Sequence, residues 1–204
     1  MNAWEFLTSG PEQTQLLAAH LAKLLKAGDL IILSGELGAG KTTFTQGLGR
    51  SLGVREGIIS PTFVLVRIHP NRPDGHNPGG PDLVHVDAYR LATPGEIDDI
   101  DLERTMDDSV TVVEWGVDRV EHLAASRLEI ELVRAVGGDT AAASGIPETL
   151  DADDASVELD ALFAGSFDAD EDCDEPRTLR LSAIGPRWEG IDFSVLGQPM
   201  TTTE

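Results

Sequence analysis

Residues 35–42, GELGAGKT, follow directly after the apolar run LIIL at residues 30–33. Two glycines five positions apart, followed by Lys and Thr, form the phosphate-binding P-loop pattern. The glycines at positions 35, 38 and 40 let the backbone turn so that amide groups point at phosphate oxygens, and the next helix adds its positive end. This stretch predicts a buried strand, a loop that binds a nucleoside triphosphate, and a helix over residues 43–52.

Two side chains at the end of the loop carry the chemistry expected of a P-loop. Lys41 is predicted to reach the β- and γ-phosphates, and the Thr42 hydroxyl to lie where a Mg²⁺ ion sits between those phosphates. The ion offsets charge that develops during phosphoryl transfer. A glycine-rich turn without a ligand is the alternative, and the complete motif between a strand and a helix disfavours it.

Two acidic residues end other apolar strands. Asp87 follows the run at residues 83–86, and Glu114 follows the run at residues 110–113. In an open α/β sheet the ligand lies beyond the carboxyl ends of the strands, so both acids are expected to converge on the metal and the attacking water. Either acid alone is a weak signal, because strand-end acids also face solvent or cap helices. Which of the two acts as a base is left open.

Several other polar residues lie near these predicted strand ends. Thr62, in the segment Ser60-Pro61-Thr62, is a candidate sensor of the γ-phosphate, and a simple turn at the start of a strand is the alternative. Arg90 is a candidate contact for phosphate or for a partner. His85 shares a strand face with Asp87, but a packed imidazole is favoured over a metal ligand, because no further His or Cys completes a site.

The rest of the chain alternates between helical and strand patterns. Ser9 followed by Glu12 forms a capping-box signal for a first helix before the P-loop strand, and a further helical stretch follows Pro94. Two pairs of strands are predicted from alternating polarity: residues 60–68 with 83–91, and residues 127–135 with 177–185. This order predicts an α/β fold, a single P-loop NTPase domain whose mixed central sheet is flanked by helices.

Much of the net charge of −21 comes from one segment. Residues 137–176 contain 13 acidic residues and no Lys or Arg, and leave 23 acidic residues against 15 basic ones elsewhere. The segment is rich in Ala, Gly, Ser and Asp, so it buries too little apolar surface to offset its ordering entropy and is predicted to be disordered. We therefore predict a P-loop core at 1–136, an acidic insertion in a C-terminal hairpin at 137–176, and a final strand and tail at 177–204.

Charge and apolar pattern argue against several classes of function. Direct RNA binding depends on basic residues that displace counterions from phosphates, and this chain is acidic even without its insertion. No apolar run approaches the roughly 18 residues that span a bilayer, and the amino terminus lacks a signal-peptide pattern. The single cysteine, Cys173, is interpreted as incidental. We expect a cytoplasmic protein with no membrane contact that reaches nucleic acid only through a partner.

Four motifs occur in a fixed order along the chain: GELGAGKTTFTQGLGRSLG at 35–53, SPTFVLV at 60–66, HVDAYRL at 85–91 and VVEWG at 112–116. Their combination closely resembles the bacterial TsaE family, the P-loop ATPase of tRNA threonylcarbamoyladenosine (t6A) biosynthesis. The resemblance runs from about residue 4 to 132 and resumes near 178. The loop at 70–81 and the acidic segment look longer than the family usually carries.

The resemblance implies a set of site residues. In the family's pattern, residues 37–42 hold the ATP phosphates, Thr42 and Glu114 coordinate Mg²⁺, and residues 87–90 contact nucleotide. Thr43, Thr62 and Trp115 fall at further motif positions. With the residues singled out above, the predicted nucleotide-binding set is Gly35, Leu37, Gly38, Ala39, Gly40, Lys41, Thr42, Thr43, Thr62, Asp87, Ala88, Tyr89 and Arg90. The predicted metal ligands are Thr42, Asp87 and Glu114, and the predicted catalytic residues are Lys41, Asp87 and Glu114.

The resemblance also implies partners. Members of the family work with TsaB and TsaD, which transfer a threonylcarbamoyl group to the adenosine beside the anticodon, and TsaE supports repeated turnover without performing the transfer. It implies a partner-activated, Mg²⁺-dependent ATPase that contacts tRNA only through that assembly. Two other interpretations use the same P-loop: a small-molecule kinase, and a binding module in which ATP only switches a protein surface. No arginine-rich lid segment is recognisable to support the kinase.

Overall fold

A seven-stranded sheet forms the centre of the computed structural model, which describes residues 2–75, 77–91, 93–134 and 175–197. Helices pack on both faces of this sheet, so the predicted α/β fold with a mixed central sheet is confirmed. The strands are β1 (Asn2–Thr8), β2 (Leu30–Ser34), β3 (Val66–His69), β4 (Asp82–Asp87), β5 (Ser109–Glu114), β6 (Arg127–Arg134) and β7 (Arg177–Ile184). The α-helices are α1 (Pro11–Ala22), α2 (Lys41–Leu52), α3 (Pro94–Asp98) and α4 (Glu103–Met106).

The strand order β1-β7-β6-β2-β5-β4-β3 determines which residues meet at one edge of the sheet. Strands β6, β2, β5 and β4 run parallel, while β7 pairs antiparallel with both β6 and β1, and β3 pairs antiparallel with β4. The carboxyl ends of the four parallel strands therefore lie at the same edge, together with the start of β7. This is the edge at which α/β proteins bind ligands.

Strand β2 is buried on both faces, which is typical of a central parallel strand. Ile31 and Leu33 belong to the apolar cluster that includes α1 and α2, whereas Leu30 and Ile32 belong to the cluster that includes α3 and α4. Two packed layers thus hold the strand that leads into the P-loop and leave little freedom in its position.

The predicted start of the first helix is wrong. Helix α1 begins at Pro11 with Gly10 at the N-cap position, and no side chain caps it. Proline is favoured at a first helical position because it has no amide proton to leave unsatisfied. The backbone amide of Ser9 donates to Gln13 Oε1 at 2.9 Å, one residue beyond the predicted Glu12 partner. Strand β1, which precedes this helix, was not predicted.

The first predicted strand pair is confirmed in its pairing and wrong in two boundaries, since β4 ends at Asp87 and not at residue 91. Strand β3 does pair with β4, but it begins at Val66 and not near residue 60. Before it, the amides of Val64 and Leu65 both donate to the Pro61 carbonyl, and Leu65 has a φ of 65°. Residues 61–65 therefore form a turn and leave no extended backbone to join the sheet.

The second predicted strand pair is confirmed: β6 and β7 pair antiparallel from Arg127 with Ile184 to Arg134 with Arg177. The predicted disorder of 137–176, apart from its last two residues, lies outside the described residues, as does Cys173, and the three-part division of the chain stays a prediction. Within the described ranges, no helix is both long enough and apolar enough to cross a membrane.

Helices α1 and α2 cross at very short distance, and a glycine makes this approach possible. A Cβ atom built on Gly47 of α2 would lie 2.6 Å from Gln15 Cα of α1, closer than side-chain carbons approach backbone atoms. The P-loop helix is thus held against α1 by backbone contact.

We predict that Gly47→Ala lowers the free energy of unfolding by about 1–3 kcal/mol, because the added methyl group forces the two helices apart. The matched control is Gly95→Ala in α3, where a Cβ would meet no atom within 4 Å. Urea denaturation of both variants measures the difference. Equal stability of the two variants would contradict the close crossing.

Candidate active site

The P-loop connects β2 to α2 at the edge where the parallel strands end. Gly35 has a φ of 135°, and a Cβ at this position would overlap the carbonyl oxygen of Leu132 in β6. Gly40 has a φ of 99° and is the N-cap of α2. Both positions need glycine, since left-handed backbone is strained for other residues. The loop therefore curves back over the amino end of the helix, the arrangement that binds phosphate in P-loop proteins.

Lys41 lies inside this loop. Its ammonium group donates to the carbonyl oxygens of Gly35 and Glu36, both at 2.9 Å, and stands 3.8 Å from the centre of the Trp115 ring. Burial lowers the pKa of Lys41 below its usual value, and the charges of Glu114 and Asp87 oppose this shift. The ammonium is thus preorganised by carbonyls, an indole face and two nearby carboxylates.

Glu114, at the end of β5, connects the P-loop to the neighbouring strands. Its Oε1 atom accepts a hydrogen bond of 3.0 Å from the Thr42 hydroxyl and lies 2.8 Å from Nε2 of His85. The carboxylate is 3 % exposed and the His85 ring is fully buried. Because a carboxylate only accepts, Nε2 carries the proton in this contact. One oxygen therefore joins a hydroxyl from α2 and an imidazole from β4.

His85 is a site residue that sequence reasoning treated as simple packing. Its Nδ1 atom is buried without a hydrogen-bond partner in the described part of the chain, and the His69 ring lies 6.4 Å away, centre to centre. The only sequence signal was that His85 lies two residues before Asp87. Its contact with Glu114 depends on the pairing of β4 with β5, which sequence spacing alone does not reveal.

Asp87 lies beside Glu114 in the sheet register and anchors the loop before β3. Its Oδ2 atom accepts hydrogen bonds from Thr62 Oγ1 at 2.6 Å and Ser60 Oγ at 3.0 Å, while Oδ1 accepts from the Tyr89 amide at 2.9 Å. The two hydroxyls are also 2.8 Å apart. Thr62, the predicted sensor, is therefore held on Asp87, and Ser60 is a member of this cluster that was not singled out.

The remaining predicted nucleotide contacts are spread around this centre. Leu37 is 87 % exposed at the tip of the P-loop, and Thr43 is half-buried at the start of α2. Tyr89 is exposed and its ring packs edge-on against Trp115, with centroids 5.4 Å apart. Arg90 is also exposed and lies over the Phe63 ring.

Ala88 is buried among the residues that face α3 and α4, on the other side of the sheet from α2. Its amide donates to the Glu114 carbonyl. Its methyl group therefore points away from the P-loop, and any contribution to the site comes from its backbone.

The oxygen atoms at this edge fit a magnesium ion. Thr42 supplies a hydroxyl, and Glu114 and Asp87 supply carboxylates on adjacent strands. Among the described residues, no group of three or more His, Cys, Asp or Glu residues forms a complete metal cage. A hydroxyl and two carboxylates suit Mg²⁺, which takes one or two carboxylates from a protein and the rest of its ligands from phosphates and water.

Two arginines also border the P-loop and were not predicted as site residues. Arg134 ends β6 and Arg177 begins β7, and the two are partners in the strand register. A Cβ on Gly38 would lie 3.6 Å from Arg134 Nη1, and one on Gly40 would lie 3.3 Å from Arg177 Nε. The P-loop thus has guanidinium groups on its β6–β7 side and carboxylates on its β5–β4 side.

We predict that Asp87→Ala speeds hydrogen exchange at residues 61–65, because the loop loses the acceptor that holds Ser60 and Thr62. Exchange measured by mass spectrometry on the nucleotide-free protein tests this directly. Asp87→Asn, which keeps one oxygen acceptor, is expected to have an intermediate effect. Unchanged exchange in the alanine variant would contradict an anchoring role for Asp87.

Comparisons with known proteins show the family of this chain. Residues 8–140 match the family model described as threonylcarbamoyl adenosine biosynthesis protein TsaE. A protein of Streptomyces coelicolor named tRNA threonylcarbamoyladenosine biosynthesis protein TsaE is 46 % identical over 88 % of this chain and 97 % of its own length. A Bacillus subtilis protein of the same name is 36 % identical over 66 % of this chain and 80 % of its own length.

A solved structure shares the fold of this chain. The crystal structure of YdiB from Bacillus subtilis aligns with a TM-score of 0.59 and 26 % identity, and covers 92 % of this chain and 90 % of that one. The family model and the named relatives decide the family of the chain. The chain belongs to the TsaE family of t6A biosynthesis.

Proposed function

We propose that this chain is the ATP-binding and ATP-hydrolysing component of the t6A machinery, and that it acts with TsaB and TsaD to support turnover of threonylcarbamoyl transfer. The observation that carries the proposal is the hydrogen bond between Glu114 and Thr42. It holds a strand-end carboxylate against the hydroxyl of a complete P-loop, and in P-loop NTPases such a pair holds the Mg²⁺ ion of the bound triphosphate.

In the proposed reaction the P-loop binds the triphosphate. Backbone amides and the amino end of α2 face the phosphate oxygens, and Lys41 moves from the carbonyls of Gly35 and Glu36 to the β- and γ-phosphates. Exchanging carbonyl oxygens for phosphate oxygens gives the buried ammonium an anionic partner. The Trp115 ring over Lys41 limits access of water to this cation.

Glu114 and Asp87 have different roles in this proposal. Thr42 and Glu114 would hold Mg²⁺, with Asp87 acting on it through water, and the bound ion would offset the charge that develops on the phosphates. Glu114 lies directly against the P-loop and orients the attacking water. Asp87 is already occupied by Ser60 and Thr62, so it positions the loop that carries the γ-phosphate sensor.

The surface around the site supports a protein partner. Ile59, Phe63 and Val64 are exposed on the loop held by Asp87, and Tyr89 is exposed beside it. Exposed apolar side chains next to a nucleotide site are suited to a protein contact that responds to the bound nucleotide. The net charge of −21 disfavours direct capture of tRNA, so tRNA is expected to be reached through TsaB and TsaD in the cytoplasm.

We predict that the purified chain hydrolyses ATP faster when its own TsaB and TsaD are added, and that Lys41→Ala abolishes this activity. Glu114→Ala is expected to lower the rate about 10²–10⁴-fold, the range for losing a residue that handles the attacking water. Phosphate release under saturating ATP and Mg²⁺ measures both effects. Chelation of Mg²⁺ is expected to stop hydrolysis in every variant.

Glu5→Ala is the matched control, since it removes an exposed carboxylate from the edge strand β1, far along the sheet from β5. Its rate should equal that of the wild type. Hydrolysis that is indifferent to TsaB and TsaD would contradict the proposed partners. Transfer of the γ-phosphate to a small molecule would replace the proposal with a kinase, and t6A formation that persists in Glu114→Ala without hydrolysis would indicate a nucleotide-gated module.

A further inference from the structure

Arg177 lies at the first position of β7, beside the amino end of the P-loop helix. Its Nε and Cδ atoms are 3.3 and 3.4 Å from the position that a Cβ on Gly40 would occupy. More than 130 residues separate these two positions in the sequence, and the antiparallel pairing of β7 with β6 brings them together. A guanidinium group thus lies directly against the backbone of the phosphate-binding loop.

The Arg177 side chain is buried and incompletely satisfied. The residue is 9 % exposed, Nη1 donates to the Glu175 carbonyl at 3.1 Å, and the buried Nε has no hydrogen-bond partner in the described part of the chain. A buried guanidinium is costly unless hydrogen bonds and opposite charge compensate it. A neutral carbonyl supplies only part of that compensation.

The location of this cation adds to its cost. The amino end of a helix carries partial positive charge, so a cation beside it is unfavourable unless an anion lies between them. Helix α2 has 12 residues, begins at Lys41 and has Gly40 as its cap. Phosphate oxygens in the P-loop would offset both positive groups at once, and Arg is well suited to that contact because its planar fork matches phosphate geometry.

The neighbouring Arg134 differs in one respect. Its Nε atom donates to the Glu175 carboxylate at 3.0 Å, and its Nη2 forms a second bond to the same oxygen. Glu175 therefore neutralises Arg134 through its side chain and offers Arg177 only its backbone carbonyl. Of the two arginines, Arg177 is therefore the one that has no carboxylate partner in the described part of the chain.

We propose that Arg177 is a direct ligand of the phosphate chain of a bound nucleoside di- or triphosphate. The inference rests on the proposed nucleotide site and adds a binding residue from the opposite end of the sequence. The guanidinium donates through Nε to a phosphate oxygen held at the amino end of α2. Strand β7 thereby becomes part of the nucleotide site.

The test is calorimetric binding of ADP and of tripolyphosphate, which carries no base or sugar, to the full chain. Arg177→Gln is expected to raise the Kd of both ligands about 10- to 100-fold, the effect of losing one charge-assisted hydrogen bond. Arg177→Lys, which keeps the charge but loses the fork, is expected to fall between wild type and Arg177→Gln. It also serves as the second variant if Arg177→Gln fails to fold.

Arg180→Gln is the matched control. It removes a positive charge from the same strand, where Arg180 is exposed and paired with Glu5 and Glu131. Its Kd for both ligands should equal that of the wild type. Wild-type affinity for tripolyphosphate in Arg177→Gln would overturn the proposal.

Hydrogen exchange separates a phosphate ligand from a residue that only supports the loop. The proposal expects unchanged exchange at residues 35–42 in nucleotide-free Arg177→Gln. Faster exchange there, accompanied by lost affinity, would assign Arg177 a supporting role and overturn the proposal. A wild-type chain that binds no ADP would contradict the proposed function itself, whereas binding that is lost in Lys41→Ala but kept in Arg177→Gln would contradict only this inference.

Discussion

The organisation of the site depends on the two contacts of one atom, Oε1 of Glu114. This oxygen accepts a hydrogen bond from the Thr42 hydroxyl of the P-loop helix and contacts Nε2 of His85 in β4. Both the Glu114 and the His85 side chains are buried. A buried carboxylate is stable only when such donors compensate its charge. The position of α2 over the sheet, the register of β4 with β5 and the charge of the site are thereby coupled.

The two sides of the site, on either side of Glu114, differ in charge. Toward β4, carboxylates and hydroxyls gather: Asp87 holds Ser60 and Thr62 and thus fixes the loop before β3. Toward β6 and β7, guanidinium groups border the loop. The proposed triphosphate would lie between them, with its phosphates toward the cations and its metal toward the acids. A strongly acidic chain can bind a polyanion at this site because distant charges are screened by salt. The charges close to the ligand, and not the net charge of the chain, then determine the interaction.

The predictable parts of this structure were those encoded over short distances in the sequence. The strand, loop and helix around GELGAGKT follow from glycine spacing and apolar runs, and the convergence of Asp87 and Glu114 follows from the rule that parallel strands end at one edge. Contacts that depend on register were not predictable in the same way. His85 meets Glu114, and Arg177 meets Gly40, only because particular strands are neighbours. Residues 61–65 were predicted as strand because of their apolar side chains, whereas the hydroxyl contacts of Ser60 and Thr62 to Asp87 depend on the tertiary fold and could not be predicted.

A crystal structure of the chain with Mg²⁺ and a non-hydrolysable ATP analogue tests the central claim most directly. We predict phosphates within the loop at residues 35–42, Lys41 Nζ on a phosphate oxygen instead of the Gly35 and Glu36 carbonyls, and the metal in contact with Thr42 Oγ1 on the Glu114 side. A triphosphate bound elsewhere, or Lys41 and the Thr42–Glu114 hydrogen bond unchanged in its presence, would contradict the account.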